Sequence, residues 1–186
     1  MYNMALLTKD DLLSRRDFEA NRNALREQLQ AVLQKRRYIL GPSLILSFFN
    51  RDIVKYRLEQ IVWAEKISDE QLLKDYLNSF NNFIPGDFEL VAEILLKFDE
   101  KTEIQTILEQ FKNLENSQSI FVTSDSHDNV YPEYFQSNDS TGHHCVYYTR
   151  FKLDEKQVKV LKDSKLSLVI NKESYNYQVE LDHALI

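Results

Sequence analysis

Cysteine is nearly absent from this chain. Cys145 stands alone, which excludes an internal disulfide, a CxxC redox pair and a cysteine-rich zinc site. Glycine and proline number three each in 186 residues, so regular structure should be dense and every punctuating residue informative. No apolar run approaches the ~20 residues needed to cross a bilayer. The opening MYNMALLTKDD lacks a basic stretch followed by an apolar one, so no signal peptide is expected, and the reading is a soluble, cytoplasmic protein. Phosphate loops (GxxxxGK[ST], GxGxxG), a nucleophile elbow, HExxH, an EF-hand loop and the paired Glu-x-x-His of di-iron bundles are all missing. An excess of basic charge is missing too. The formal charge is −6 with a pI near 5.3, which argues against a general nucleic-acid binder.

What is present describes a folded domain. Hydrophobic residues make up 43% and aromatics 12%, and the length suits a single domain with a substantial core. Thr8 and Asp11 resemble a capping box that opens a short helix through Leu12 and Leu13. Periodicity predicts a helix over 17–34 with Phe18, Leu25, Leu29 and Val32 on one stripe, and Lys35, Arg36 and Arg37 then fall where cations complement the helix dipole. Gly41-Pro42 breaks the chain. The apolar run 43–49 reads as a strand covered on both faces, and Asn50 caps a helix over 51–67 with Val54, Leu58 and Ile61 at helical spacing. Arg51 and Glu65 lie fourteen residues apart on that helix, about 21 Å along its axis, so each needs its own partner. Ser68 with Gln71 suggests a second capping box, opening a helix whose face is Leu72, Leu73, Tyr76, Leu77 and Phe80.

Beyond the Pro85-Gly86 turn, residues 88–98 alternate apolar and polar, the clearest strand pattern in the chain. A helix over 100–114 follows. Strands are then expected at 119–124, 129–135, 145–153 and 166–172, with a turn over 136–144, a short helix near 154–162 and a weakly specified C-terminal end. The expected fold class is α+β: one domain over 1–186, helix-rich in 1–115 and strand-rich in 116–186. Its N-terminal helices would pack on a mixed, mainly antiparallel sheet.

His143-His144-Cys145 invites a metal reading, with His127, Asp128, Asp139 and Glu133 as additions. Adjacent histidines on a strand point to opposite faces and no zinc spacing is present, so neither a metal nor a cofactor is expected. Cys145 with His127 or His183 as base is a weaker reading than Cys145 as a small hydrophobe. Six tyrosines crowd the last third (Tyr131, Tyr134, Tyr147, Tyr148, Tyr175 and Tyr177). They suit sheet packing, or an exposed binding face that could support a homodimer.

Residues 36–67, RRYILGPSLILSFFNRDIVKYRLEQIVWAEKI, resemble a bacterial family called domain of unknown function 3501, with its pattern RR…LGP…FENRDTV…QEMLRAERI. Arg36, Arg37, Leu40, Gly41, Pro42, Phe48, Asn50, Arg51, Asp52, Ala64, Glu65 and Ile67 match as they stand. So do Ile84-Pro85-Gly86 with Glu89-Leu90, Tyr148 with Arg150-Phe151, and Thr8-x-Asp10-Asp11-Leu12. Phe49 departs from the pattern's glutamate, Glu59-Gln60 stands where Gln-Glu is usual, and His143 and His144 fall outside the pattern. The resemblance implies a bacterial, cytoplasmic protein with no agreed activity, and relatives often encoded beside rubrerythrin-like and iron-sulfur oxidoreductase proteins. The favoured expectation is a non-enzymatic interaction or regulatory protein, associated with such a redox system, whose surface centres on Arg36, Arg37, Arg51, Asp52 and Arg150. The alternative is an enzyme or small-molecule binder that clamps an anionic ligand through Arg36, Arg37 and Arg51, with Glu65 as acid or base.

Overall fold

The computed structural model describes residues 5–98, 104–124, 127–135, 145–163, 166–182 and 185. The chain folds as α+β and forms two compact units, each discontinuous in sequence. One joins Met1–Lys35 to Phe49–Asp87; the other joins Arg36–Phe48 to Phe88–Ile186.

The first unit is helical. Thr8 and Asp11 form the expected reciprocal cap, the Thr8 amide donating to Asp11 Oδ2 at 2.8 Å, but it closes only a 3-10 turn, Lys9–Asp11. Helix α1 (Arg15–Gln34) starts two residues before the expected Asp17, because the Ser14 hydroxyl accepts from the Asp17 amide at 3.1 Å and fixes the N-terminus there. Lys35 is its C-cap residue, so the basic cluster is not a helical last turn: the chain has left the helix before Arg37. Helix α2 (Arg51–Ala64) is capped by Asn50, whose side chain accepts from the Ile53 amide at 2.9 Å. It ends where Lys66 turns left-handed at φ 55°, three residues short of Ile67. Ile53, Val54 and Leu58 bury its inner face, each contributing roughly 1.5–3 kcal/mol of transfer free energy. Helix α3 (Glu70–Asn81) is capped by Asp69 rather than Ser68, the carboxylate accepting from the Leu72 amide at 2.7 Å. Gln71, expected in a capping box, instead donates to Asp75 one turn along. The helices pack α1 on α2 and α2 on α3.

The second unit holds strands β1 (Arg37–Leu40), β2 (Leu44–Phe48), β3 (Glu89–Leu96), β4 (Ile120–Ser124), β5 (His127–Val130), β6 (Glu133–Phe135), β7 (Val146–Lys152), β8 (Leu166–Lys172) and β9 (Tyr175–Leu181). They form not one sheet but two, ordered β1-β2-β3-β7-β6 and β5-β4-β8-β9, and every pairing among them is antiparallel. The run expected as one strand over 129–135 is divided by Pro132. Proline cannot donate to a ladder, and β5 and β6 pair in different sheets on either side of it. β1 and β9 are the two strands the sequence reading did not contain.

The two sheets share one core. Leu40, Leu44, Leu46, Phe48, Ala92, Ile94 and Phe151 come from the first, and Ile120, Val122, Leu168 and Ile170 from the second; all are buried. On β3, Leu90, Ala92, Ile94 and Leu96 are buried and Leu95 exposed, but Val91 on the other face is fully buried as well, and Phe88 is exposed ahead of the strand at φ 62°. Helix α4 (Ile104–Gln110) and the following turn add Ile107, Phe111 and Leu114 to the core. Helix α5 (Glu155–Asp163) is fixed by a reciprocal cap: the Asp154 amide donates to Gln157 and the Gln157 amide to Asp154, both at 2.7 Å.

The edges β1 and β9 meet. The Tyr175 hydroxyl donates to the Leu40 carbonyl and accepts from the Ser43 amide at 3.0 Å, while the Asp182 amide donates to the Tyr38 hydroxyl at 2.9 Å. Gly41, at φ 69°, makes the β1–β2 turn directly beneath the Tyr177 ring.

Candidate functional site

The six residues expected to form a binding surface divide between the two units. In the helical unit, Arg51 is engaged on two sides, its Nε donating to the Ala5 carbonyl at 2.7 Å and its Nη2 to Asp11 Oδ1 at 2.5 Å. Asp52 stands exposed in the first turn of α2. Glu65 is the C-cap of α2 and accepts from the Tyr76 hydroxyl at 2.8 Å. Arg51 and Glu65 thus do find separate partners. Glu65 is exposed, so its partner compensates no burial.

In the strand unit, Arg36 is half-buried in the turn before β1, and Arg37 is exposed on β1. Arg150 on β7 has Nε 3.4 Å from Glu89 Oε2, and its guanidinium lies 5.2 Å from the Phe135 ring centroid. Arg37 and Arg150 lie on strands three spacings apart in one sheet, about 14 Å. Cys145 is exposed just before β7. His143, His144, Asp139 and His183 lie outside the described residues.

Segments far apart in sequence that carry the family pattern meet as ion pairs: Asp11 with Arg51, and Glu89 with Arg150. The pairing has an electrostatic signature at Asp11. The hydrogen bond from Arg51, then those from Thr8, lower its carboxyl from 3.8 to about 2. Phe49, which replaces the pattern's glutamate, is buried against Phe83 (centroids 5.6 Å apart), with the Arg57 guanidinium 4.8 Å from its ring centroid. Glu59 is buried to 4% exposure, where its Oε1 accepts from the Leu13 amide at 2.8 Å and lies 3.7 Å from Lys55 Nζ.

A concave surface lies elsewhere, between α1 and α2. Phe18, Arg22 and Arg26 recur at four-residue spacing along one face of α1, opposite Tyr56, Gln60, Ile61, Trp63, Ala64 and Glu65. Together they line an open groove of about 420 Å³. Its apolar floor is aromatic, with the Phe18 ring 5.9 Å from that of Tyr56 and 6.3 Å from that of Trp63. The Arg22 guanidinium lies 4.7 Å from the Trp63 ring centroid. Trp63 Nε1 is buried and meets no hydrogen-bond acceptor among the described residues. Among those residues neither Arg22 nor Arg26 is held in an ion pair, in contrast to Arg51 and Arg150. Among the described residues no histidine, cysteine, serine or threonine lines the groove, which is equipped to hold a ligand by stacking and charge.

Sequence reasoning reached only Glu65 of this groove. Arg22 and Arg26 were given no role by the sequence reading. The usable signal was their register with Phe18, which puts cations on the stripe where apolar residues would continue.

The fold is therefore that of an α+β protein whose strand unit is wholly antiparallel among its described pairings and whose helical unit carries a cation-lined aromatic groove. The chain belongs to the family described as Protein of unknown function (DUF3501), which matches it over residues 6–186. It is similar to the crystal structure of a novel protein of unknown function from Burkholderia pseudomallei K96243. The two are 22% identical, with 97% of this chain and 95% of that chain covered at a TM-score of 0.87, and so share a fold. No curated protein matches the chain. Among the described residues no helix is long and apolar enough to cross a membrane.

Proposed function

We propose that this protein is a non-enzymatic interaction or regulatory protein of the cytoplasm, and that the α1–α2 groove is its docking face. One observation carries the reading: the groove gathers tryptophan, tyrosine and arginine held in no ion pair among the described residues, the residue types that dominate binding hot spots, on an open surface. The occupied pairs Asp11–Arg51 and Glu89–Arg150 support it, since they leave those arginines to the scaffold. The class of partner is a redox protein of the rubrerythrin or iron-sulfur oxidoreductase kind, which rests on the gene neighbourhood that the family resemblance implies.

The test is capture from the native host with tagged wild-type protein and with Ala64→Gln, followed by mass spectrometry and metal analysis of both eluates. Ala64 is exposed on the groove wall, and glutamine is a neutral, good helix former, so the substitution fills the groove without adding charge or entering the core. The expected result is a redox protein held by the wild type and lost by the variant. Equal recovery by both proteins, or recovery of no specific protein by either, would overturn the proposal.

A further inference from the structure

We infer that the groove's occupant is an acidic polypeptide segment: carboxylates one helical turn apart that flank an apolar side chain, the carboxylates received by Arg22 and Arg26. This rests on the docking reading above and names the chemistry of the partner.

Three features of the groove converge on that chemistry. The first is charge. Arg22 and Arg26 stand four residues apart on one face of α1, about 6 Å along the axis. Like charges at that spacing repel and weaken a helix, and neither guanidinium is neutralised by an ion pair among the described residues. A guanidinium presents a planar fork of donors that matches a carboxylate in two parallel hydrogen bonds. Two such forks one turn apart fit carboxylates at i and i+4 of a helical segment, or at i and i+2 of an extended one.

The second feature is the floor. Between the arginines and Glu65, half-buried Ile61 and Trp63 lie over the buried rings of Phe18 and Tyr56 and offer apolar surface that an apolar side chain would cover. A bare anion would leave Ile61 and Trp63 uncovered. The third is polarity along the groove: the arginines project from α1, while Glu65 closes the C-terminal end of α2. A segment with its carboxylates toward α1 and no acid beside Glu65 is favoured over the reverse orientation.

Arg22 also links occupancy to a signal. Its guanidinium rests on Trp63, the only tryptophan in the chain, whose indole N–H has no acceptor among the described residues. A carboxylate that draws Arg22 away uncovers the ring face and changes the surroundings of that N–H, so Trp63 fluorescence reports binding directly.

The experiment titrates the full-length protein with a 12-residue peptide that carries glutamates four apart around a leucine and contains no aromatic residue. A twin peptide has glutamine at both positions, and inorganic phosphate serves as the free-anion arm. The expected result is a saturable change in Trp63 emission with the glutamate peptide and binding at least about tenfold weaker for the twin. Arg22→Gln and Arg26→Gln should each lose about tenfold, and affinity should fall as salt rises. Both arginines are exposed, and circular dichroism checks that each variant folds. No emission change up to millimolar glutamate peptide, equal binding of the twin, or a phosphate titration that reproduces the signal would overturn the inference. If capture in the native host depends on the groove but survives Arg22→Gln with Arg26→Gln, the acidic-segment assignment fails while the docking face stands.

Discussion

Gly41→Ala offers a way to weigh the junction where the β1–β2 turn meets β9. The substitution has two separable costs. Gly41 sits at φ 69°, and a side chain in that left-handed region costs about 1–2 kcal/mol. An added Cβ would also lie 2.4 Å from Tyr177 Cε2 and 2.6 Å from both Cδ2 and Cζ, so the ring must retreat. That ring stands 4.6 Å from the Tyr175 ring, and losing an aromatic pair costs about 0.5–1.5 kcal/mol. The total expected for Gly41→Ala is therefore about 1.5–3.5 kcal/mol. In a Tyr177→Ala background only the backbone cost remains, so the same change should cost about 1–2 kcal/mol, a coupling near 1 kcal/mol. Urea unfolding of the four proteins, followed by far-UV circular dichroism, gives the cycle. Costs that agree within about 0.3 kcal/mol in the two backgrounds would refute the ring contact as a source of the effect.

Three further outcomes follow from the same geometry. Glu59→Ala should destabilise by about 1.5–3 kcal/mol, because it strips the Leu13 amide of its acceptor, whereas Glu59→Gln keeps an acceptor oxygen and should cost less than about 1 kcal/mol; urea midpoints check both. The folded Asp11 carboxyl lies below its ordinary 3.8, so its stabilising contribution is present above that value and fades as pH falls through about 2. Thermal melts between pH 5 and 2 should therefore show a shallower acid loss in Asp11→Asn. Burial raises the Tyr134 phenol well above its ordinary 10.0, and its hydroxyl has no hydrogen-bond partner among the described residues. As pH rises past 10 the unfolded chain loses this proton first and stability falls, so Tyr134→Phe should match or exceed the wild type at pH 7 and resist alkali better; melts at pH 7 and 11 decide it.

Much of the local structure was legible because local rules set it. Asn50 and the Thr8–Asp11 pair act within three residues of themselves, and the side chains at 90, 92, 94 and 96 share one buried face of β3. What escaped was decided at long range. Arg37-Tyr38-Ile39-Leu40 carries no strand signal of its own; it is a strand because β2 pairs with it and β9 lies beside it. Tyr175–Leu181 was hidden behind the turn at Glu173 and Ser174, which has no glycine to announce it even though Glu173 adopts φ 52°. Glu59 was invisible as a buried group because its acceptor role depends on Leu13, 46 residues away. The groove was missed for the same reason, since a cation on α1 acquires meaning only once Trp63 is set beneath it.

The bond between Tyr175 and Leu40 spans 135 residues, and that distance has a consequence for how the protein is made. At ~5–20 residues per second, a ribosome needs about 7–27 s to extend the chain from one to the other. Throughout that interval the nascent β1–β2 hairpin carries Leu40, Leu44, Leu46 and Phe48 without the second sheet that will cover them. Residues 43–49, SLILSFF, are uncharged and strand-forming, the composition that seeds intermolecular pairing. Biosynthesis thus exposes an uncharged, strand-forming segment before the sheet that covers it is complete. A factor that shields that hairpin during translation should therefore raise the yield of folded protein without changing the stability of the finished fold.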